Sequence, residues 1–506
     1  MKNKILKISF AAIFLVSMPN LVVSCTDDDL EEKEYKGAFA NFFRNEQECF
    51  FALVGTYDPL RKYAGGFENM VTFYNAASDD FYAGGGSATD GAGIQGASNW
   101  QINQTTMPVS YWRDYYQGIA RANEVIKRVP DANMSDAIKS RFIAEAKTLR
   151  AIYYFDLLRV FGNIPLILNT FTVTDDFYNV PQVAPAEIYA QIEKDLTDAT
   201  PNLPMTVGGA ERGRLTQGAA KALLGKVYLY EKKNTQAAAL LAEVNGTPGS
   251  TSQYGYKLVD NYNSLWITDN KFTTESVLEV THSNKGNSDW SFWGAGNDEG
   301  NSINIMTAPR AYTRKTDDAP DVVGGWAFNT VTTDLYNFMQ GDPRMSATIL
   351  NMAMLTAENK ASYSPAYMDT GYFLNKYMPT RDEVTDLPGA TELNYRQNYI
   401  LIRLADTYLM EAEALGGTGS RAQALLDAVR ARVGLTSVPV SLQAIKDERR
   451  KELAGEGHRF FDLVRWGEAA SKLSSRGFVA GKNEIMPIPL TELTGTALKQ
   501  NPHYNN

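Results

Sequence analysis

The sequence predicts a mainly α protein: helical hairpins stacked as an α-α superhelix, carrying a large irregular, loop-rich insert. Three observations carry this expectation. Over much of the 506 residues, apolar side chains recur at spacings of three and four, which places them on one face of a helix. The segments with that repeat come in pairs separated by Gly, Pro, Asn and Asp, residues that stop helices and turn chains. Between about residues 245 and 395 the repeat fails, and Gly, Asn, Asp, Ser and Thr punctuate aromatic and strand-like stretches.

A first helix is expected over about 41–63, with Phe42, Phe43, Cys49, Phe50, Leu53, Tyr57 and Leu60 as its apolar positions. Residues 78–105 follow as a long loop rich in Gly, Ser, Asp and Asn, well beyond the usual connection of about four to six residues. Helices resume over 111–129 and 136–161, the second with Ile143, Ala146, Leu149, Tyr153, Leu157 and Val160 in register and Gly162 as its stop. A further pair spans 185–196 and 216–230. In the insert, Ser276 to Val280 reads as a strand and Thr333 to Phe338 as a helix. Beyond it, helices are expected over 401–415 and 421–433, where Ser420 and Gln423 have the form of a capping box, and over 442–455 and 459–470, with Ser441 as a cap. Four hairpins result. No regular repeat of about 34 residues is present, yet one-sided apolar stripes are buried by stacking each pair on the next. The division expected is a scaffold over 41–244 and 396–470, the insert over 245–395 and an extended C-terminal segment over 471–506, all in one domain.

The first residues read as an address. Lys2, Lys4 and Lys7 precede an apolar run from Ile8 to Met18, too short to cross about 30 Å of hydrocarbon, and Leu21-Val22-Val23-Ser24-Cys25 closes the segment as a lipobox. Residues 1–24 are therefore expected to be a signal peptide and Cys25 the acylated terminus; the other reading is an ordinary signal with an incidental cysteine. Once Cys25 is acylated, Cys49 is left without a disulfide partner and is expected to pack in the core. Residues 25–40, with Asp27, Asp28, Asp29, Glu31, Glu32 and Glu34, form an acidic flexible tether.

Composition excludes several functions. The net charge of -9, borne by 58 acidic against 49 basic residues, is opposite to that of a protein tracking nucleic-acid phosphates. Three scattered histidines, His282, His458 and His503, give no support to a zinc site or a His-based triad. No G-x-S-x-G elbow occurs, and Gly477 to Asn483 lacks the spacing and hydroxyl of a phosphate-binding loop. Asp79 with Asp80, or Glu456 with Asp462, can be nominated as a glycoside-cleaving pair, against the plainer reading of solvated acids and helix ion pairs. No cofactor, metal or catalytic residue is expected.

Five stretches together resemble the SusD/RagB family of nutrient-binding outer-membrane lipoproteins. They are Tyr111 to Ile126, Glu145 to Leu166, Gly213 to Leu224, Ile402 to Ala414 and Glu448 to Gly467, with Lys482 to Pro489 and Gln500-Asn501-Pro502 at the end. The resemblance implies tetratricopeptide-like hairpins, a surface lipid anchor and a SusC-like TonB-dependent transporter as partner, over which the protein closes as a lid. It implies binding of an oligosaccharide or polysaccharide without catalysis. Peptide capture of the RagB kind is the alternative, and a glycan-degrading enzyme stands behind both. The acidic triplet after Cys25 likewise resembles an export signal to the outer face of the outer membrane.

Within the resembling stretches, Arg150, Asp156, Arg403, Glu452, Arg459, Asp462 and Arg465 are expected as ion pairs and carbonyl clamps that lock helices. Trp112, Trp266 and Trp466 are expected in the core. The ligand candidates lie in loops: Asp80, Tyr82 and Trp100 in the 78–105 loop, and Trp290, Phe292 and Trp293 in the polar stretch 287–298. Trp326, after Gly324-Gly325, is of the same kind but stands close to the expected helix 333–338, where a structural role competes. Flat rings stack on the weakly apolar faces of pyranoses while Asp and Asn bond the hydroxyls, a combination suited to a neutral glycan. The other reading is that these rings cover the scaffold from outside.

Overall fold

In a computed structural model, the structure describes residues 42–171, 175–285, 299–387 and 389–504. The signal peptide, Cys25, the acidic tether and the Trp290, Phe292 and Trp293 candidates lie outside them. Residues from Phe43 onward pack as one unit.

The scaffold begins with α1 (Glu46–Tyr57), capped by the Asn45 side chain, which accepts a hydrogen bond from Glu48 N. Two short helices follow, α2 (Met70–Ala76) and α3 (Ala92–Ser98). The long pair is α4 (Ser110–Arg128) and α5 (Asp136–Phe161). Ser135 caps α5, and Gly162 ends it at φ 71°, where a side chain would be strained. A short antiparallel pair, β1 (Ile164–Pro165) with β2 (Gln182–Val183), leads to α6 (Pro185–Ala199), α7 (Gln217–Tyr230, capped by Thr216) and α8 (Asn234–Asn245). Each packs on the next, from α4 through α8.

Here the structure refines the expected pairing. Helix α7 folds back along α8, which the sequence reading left out, while α6 bridges α5 and α7. The missed helix buries Ala237, Leu241 and Val244 at spacings of four and three.

After the insert the stack continues with α13 (Leu404–Ala414), which lies against α8 and against α14 (Gly419–Arg432). The chain thus leaves and rejoins the scaffold at one place. Two strands form the stem of this excursion: β3 (Ser276–Val280) and β8 (Tyr399–Arg403) are antiparallel, with Ser276 opposite Arg403 and Val280 opposite Tyr399. Leu401, expected in a helix, is therefore in a strand, and the helix starts at Leu404. The proposed capping box is also corrected. Helix α14 starts at Gly419, two residues before the expected start, and Gln423 instead accepts from Val440 N and donates to Val438 O, clamping the loop that leads to α15 (Leu442–Glu452). Ser441 caps α15 as expected, accepting from Ala444 N. Helices α16 (Arg459–Trp466) and α17 (Ala469–Leu473) complete the scaffold, and Met486 N bonds Val160 O to return the C-terminal segment to α5.

The insert is more ordered than its composition suggests. Strand β4 (Arg310–Arg314) pairs with β6 (Ala361–Ser364), and β5 (Ile349–Asn351) with β7 (Tyr372–Leu374). Between them lie α9 (Ile303–Thr307), α10 (Thr333–Phe338), α11 (Met345–Thr348) and α12 (Met352–Ala357).

A buried ionic network fastens insert to scaffold. Arg403 donates to Glu275, Glu452 and Glu456 and to the Glu452 carbonyl, at 2.5–2.9 Å. Arg344 and Lys376, both from the insert and fully buried, join the cluster: Arg344 reaches Glu452 and also Glu448, and Lys376 reaches Glu456, each at 2.7 Å. Burial pulls the Lys376 ammonium down to about 8, and the Glu456 carboxylate opposes that pull. The expected clamps are present elsewhere too. Arg150 forks onto Asp195, Asp156 holds Arg159 and Tyr63, and Arg459 forks onto Asp79 at 2.8 Å. Asp462 ties Arg449 to Arg465, and Arg465 reaches Glu413.

Cys49 packs in the core, as expected. Trp112 packs edge-on against Phe161, Trp266 sits under the Lys376 ammonium, and the Trp466 indole donates to Glu413.

Candidate functional site

The 78–105 loop is organised by its own backbone and by the insert. Tyr82 N bonds Thr330 O, Asn329 N bonds Ala83 O and Gly85 N bonds Ala327 O, so residues 80–85 run antiparallel to 327–332. The approach is close. A Cβ on Gly84, whose φ is 70°, would stand 2.2 Å from the Ala327 carbonyl oxygen, a position only glycine tolerates. Farther along, Gln95 of α3 donates to the carbonyls of Gly84, Ser87 and Asp90, gathering the turn into a fixed shape. The helix inside this stretch, and its pairing with the insert, were not expected from the sequence.

At one end of the ladder stands Trp326. Its backbone N–H bonds Ile305 O, and a Cβ on the preceding Gly325 would lie 2.1 Å from that same carbonyl oxygen. The backbone of 325–328 is therefore pressed onto α9. The ring remains half-buried, 6.1 Å from Phe67, which meets Phe328 edge-on at 5.3 Å. Arg310 of β4 donates to the Trp326 carbonyl. Across the turn, Asp90 accepts from Gly86 N at 2.6 Å, and the exposed Tyr367 bonds Gly85 O through its backbone. Phe67, Trp326, Tyr367, Asp90 and Arg310 thus adjoin one surface turn, with rings and hydroxyl-binding groups side by side. Such mixed facets suit ligands with both apolar faces and polar rims.

The other candidates fall elsewhere. Tyr82 occupies the far end of the ladder, half-buried, with the Arg476 guanidinium 4.5 Å above its ring. Asp80 and Trp100 are corrections. Asp80 is wholly buried and bonded to Arg450, and Trp100, 5% exposed, packs against Phe460 and Phe478. Neither presents a surface to a dissolved ligand. Trp290, Phe292 and Trp293 lie outside the described residues, but the chain that follows them is fixed: Ser283 N bonds Glu299 O, Asn301 N bonds Tyr395 O and Ser302 N bonds Ala64 O. The Ser302 hydroxyl also accepts from Gly66 N, beside Phe67.

Of the carboxylates nominated for cleavage, Asp79 is bonded to Arg459, Asp80 to Arg450, Glu456 to Arg403 and Lys376, and Asp462 to Arg449 and Arg465. Among the described residues no group of His, Cys, Asp and Glu is arranged to hold a metal ion, and no helix is long and apolar enough to cross a membrane.

His282 supplies a pH test of this wall. It is buried, its Nδ1 is 3.2 Å from Glu299 O, and burial lowers its pKa from 6.5 to about 3. The unfolded imidazole takes up a proton below pH 6.5 and the folded one does not, so the stability is present above 6.5 and is lost as pH falls toward 3. At pH 5 the loss is about 2 kcal/mol, at ~1.4 kcal/mol per unit. Thermal melts from pH 7 to pH 5 are expected to fall less steeply in His282→Leu than in the parent; parallel curves would place the acid sensitivity elsewhere.

The fold defines a helical-repeat protein that carries a large loop-rich insert. Sequence comparison gives the lineage. The SusD family profile matches residues 274–504, and a second profile, described as starch-binding associating with outer membrane, matches residues 30–229. A laminarin-binding SusD-like protein of known structure is 60% identical, superposes with a TM-score of 0.90, and is matched over 91% of this chain and 100% of its own. Surface glycan-binding protein A from Bacteroides thetaiotaomicron, solved with laminarihexaose, is 27% identical with a TM-score of 0.80, over 90% of this chain and 99% of its own. A SusD-like protein of Formosa agariphila is 25% identical over 94% of this chain and 95% of its own. The chain belongs to the SusD family.

Proposed function

We propose that this protein captures a neutral glycan on the facet around Trp326 and delivers it, unaltered, to a SusC-like TonB-dependent transporter. The observation that carries the reading is the half-buried indole of Trp326, held by the Gly325–Ile305 contact beside Asp90 and Arg310. A flat ring next to hydroxyl-binding groups matches the alternating character of a pyranose. The laminarin-binding relative, 60% identical over nearly the whole chain, makes a laminarin-type glucan the first ligand to try. Trp290, Phe292 and Trp293, outside the described residues, are further ligand candidates in this reading.

Affinity electrophoresis of the full chain through gels containing laminarin, starch or an acidic polysaccharide tests the ligand class. Retardation by a neutral glucan alone is expected; equal migration in all gels would sink the reading. Reducing-sugar assays on the same polymers are expected to show no release. Binding of peptide in place of any glycan would favour the RagB-like alternative, although Val277, Leu278, Glu279 and Val280 of β3, the strand that could offer an edge to a peptide, are buried.

The address belongs to the same proposal. Acylated Cys25 would anchor the chain in the outer membrane facing the exterior, the acidic residues 27–34 acting as tether. Cys25→Ala is expected to move the protein from the membrane fraction to the soluble one, and retention in a strain lacking the transporter would contradict acylation there.

A further inference from the structure

Three neighbouring glycines in the surface turn have different reasons to be glycine. Gly84 and Gly85 have positive φ and face backbone or ring atoms at 2.2 and 2.7 Å from where a Cβ would stand. Gly86 has no such constraint on its backbone. A Cβ there would instead point between two polar groups, 3.2 Å from Asp90 Oδ2 and 3.3 Å from Arg310 Nη1. The missing side chain leaves a notch with a carboxylate on one side and a guanidinium on the other.

Neither wall of the notch is used up. Among the described residues Asp90 and Arg310 make no ion pair; Asp90 accepts only from Gly86 N, and Arg310 donates only to the Trp326 carbonyl. This is unusual in a chain whose other half-buried arginines are nearly all matched to acids. The remaining guanidinium donors and the second carboxylate oxygen are free for a ligand at the edge of the Trp326 ring.

Resting on the glycan reading, we propose that Asp90 and Arg310 form the hydrogen-bonding couple that orients the sugar stacked on Trp326, with a hydroxyl or hydroxymethyl group entering the Gly86 notch. A sugar hydroxyl is both donor and acceptor, so neighbouring hydroxyls satisfy the carboxylate and the guanidinium together. The couple also sets the charge of the ligand. Asp90 repels a uronate or sulfate placed in the notch, and Arg310 alone would attract one, so the pair selects a neutral hexose.

Calorimetric titration of laminarihexaose into full-length Gly86→Ala, Asp90→Ala and Arg310→Met, with Trp326→Ala as reference, tests the assignment. Each of the three is expected to bind at least tenfold more weakly than the parent with an unchanged melting temperature. Asp90→Ala is expected in addition to gain retention in gels containing an acidic polysaccharide. If Arg310→Met and Gly86→Ala bind like the parent while Trp326→Ala has lost binding, the couple is wrong and the Trp326 facet stands. If Trp326→Ala also binds like the parent, the facet itself is misplaced. Weakened binding accompanied by a large fall in melting temperature in all three would assign the couple to folding and overturn it as a ligand contact.

Discussion

Arg403→Met is expected to leave the protein largely unfolded. The guanidinium is 1% exposed and bonds three carboxylates, from the residue before β3, from α15 and from the following turn, together with a main-chain carbonyl. Removing it strands Glu275, Glu452 and Glu456 in the interior with Arg344, Arg432 and Lys376 as their remaining counter-charges. Breaking one buried pair in this way costs about 3–5 kcal/mol, comparable with the lower end of total stability, about 5–15 kcal/mol. The site lies at the stem where the insert meets the scaffold, so the loss reaches both. Lys194→Met is the contrast: its pair with Asp198 is exposed and screened by water, so its loss is expected to leave the melting temperature almost unchanged. Soluble yield and thermal melting separate the two. A melting temperature for Arg403→Met within a degree or so of the parent would show that the network does not hold insert to scaffold.

Trp326→Ala is expected to have the opposite profile, abolishing most glycan affinity while leaving the fold intact. Aromatic anchors at the centre of a contact surface contribute about 2 kcal/mol or more, which is roughly a 30-fold change in affinity. The indole is half-buried at the margin of the core, its ring 6.1 Å from that of Phe67. Trp112→Ala, which empties a site packed by Tyr116 and Phe161, should instead cost about 3–5 kcal/mol of stability and leave the facet's chemistry unchanged in any molecules that fold. Paired titration and melting of the two variants distinguish a ligand ring from a core ring.

Much of the scaffold was legible because helical periodicity is local. The α4–α5 pair, the Gly162 stop, the Ser441 cap and the β3 strand are all written in residues a few positions apart. The motif ion pairs were legible for a different reason: Arg and Asp inside apolar helices are stable only when matched. What escaped depends on distant partners. Trp100 looks exposed in an Asn- and Gly-rich stretch, yet it is covered by Phe460 and Phe478, far along the chain. Asp80 resembles a loop acid until Arg450 closes on it. Trp326 stands close in sequence to the helix over 333–338, yet its backbone is held by Ile305 of α9, about twenty residues earlier. Asp90 and Arg310 carry no sequence signal, since β4 and the 84–91 turn meet only in three dimensions.

The most direct measurement is oxidative footprinting of tryptophan in the full chain with and without laminarihexaose. Protection concentrated at Trp326, Trp290 and Trp293, with Trp100 and Trp112 equally unreactive in both states, is the predicted result. Saturable binding that protects none of the first three, or that protects rings on the opposite side of the scaffold, would contradict the facet.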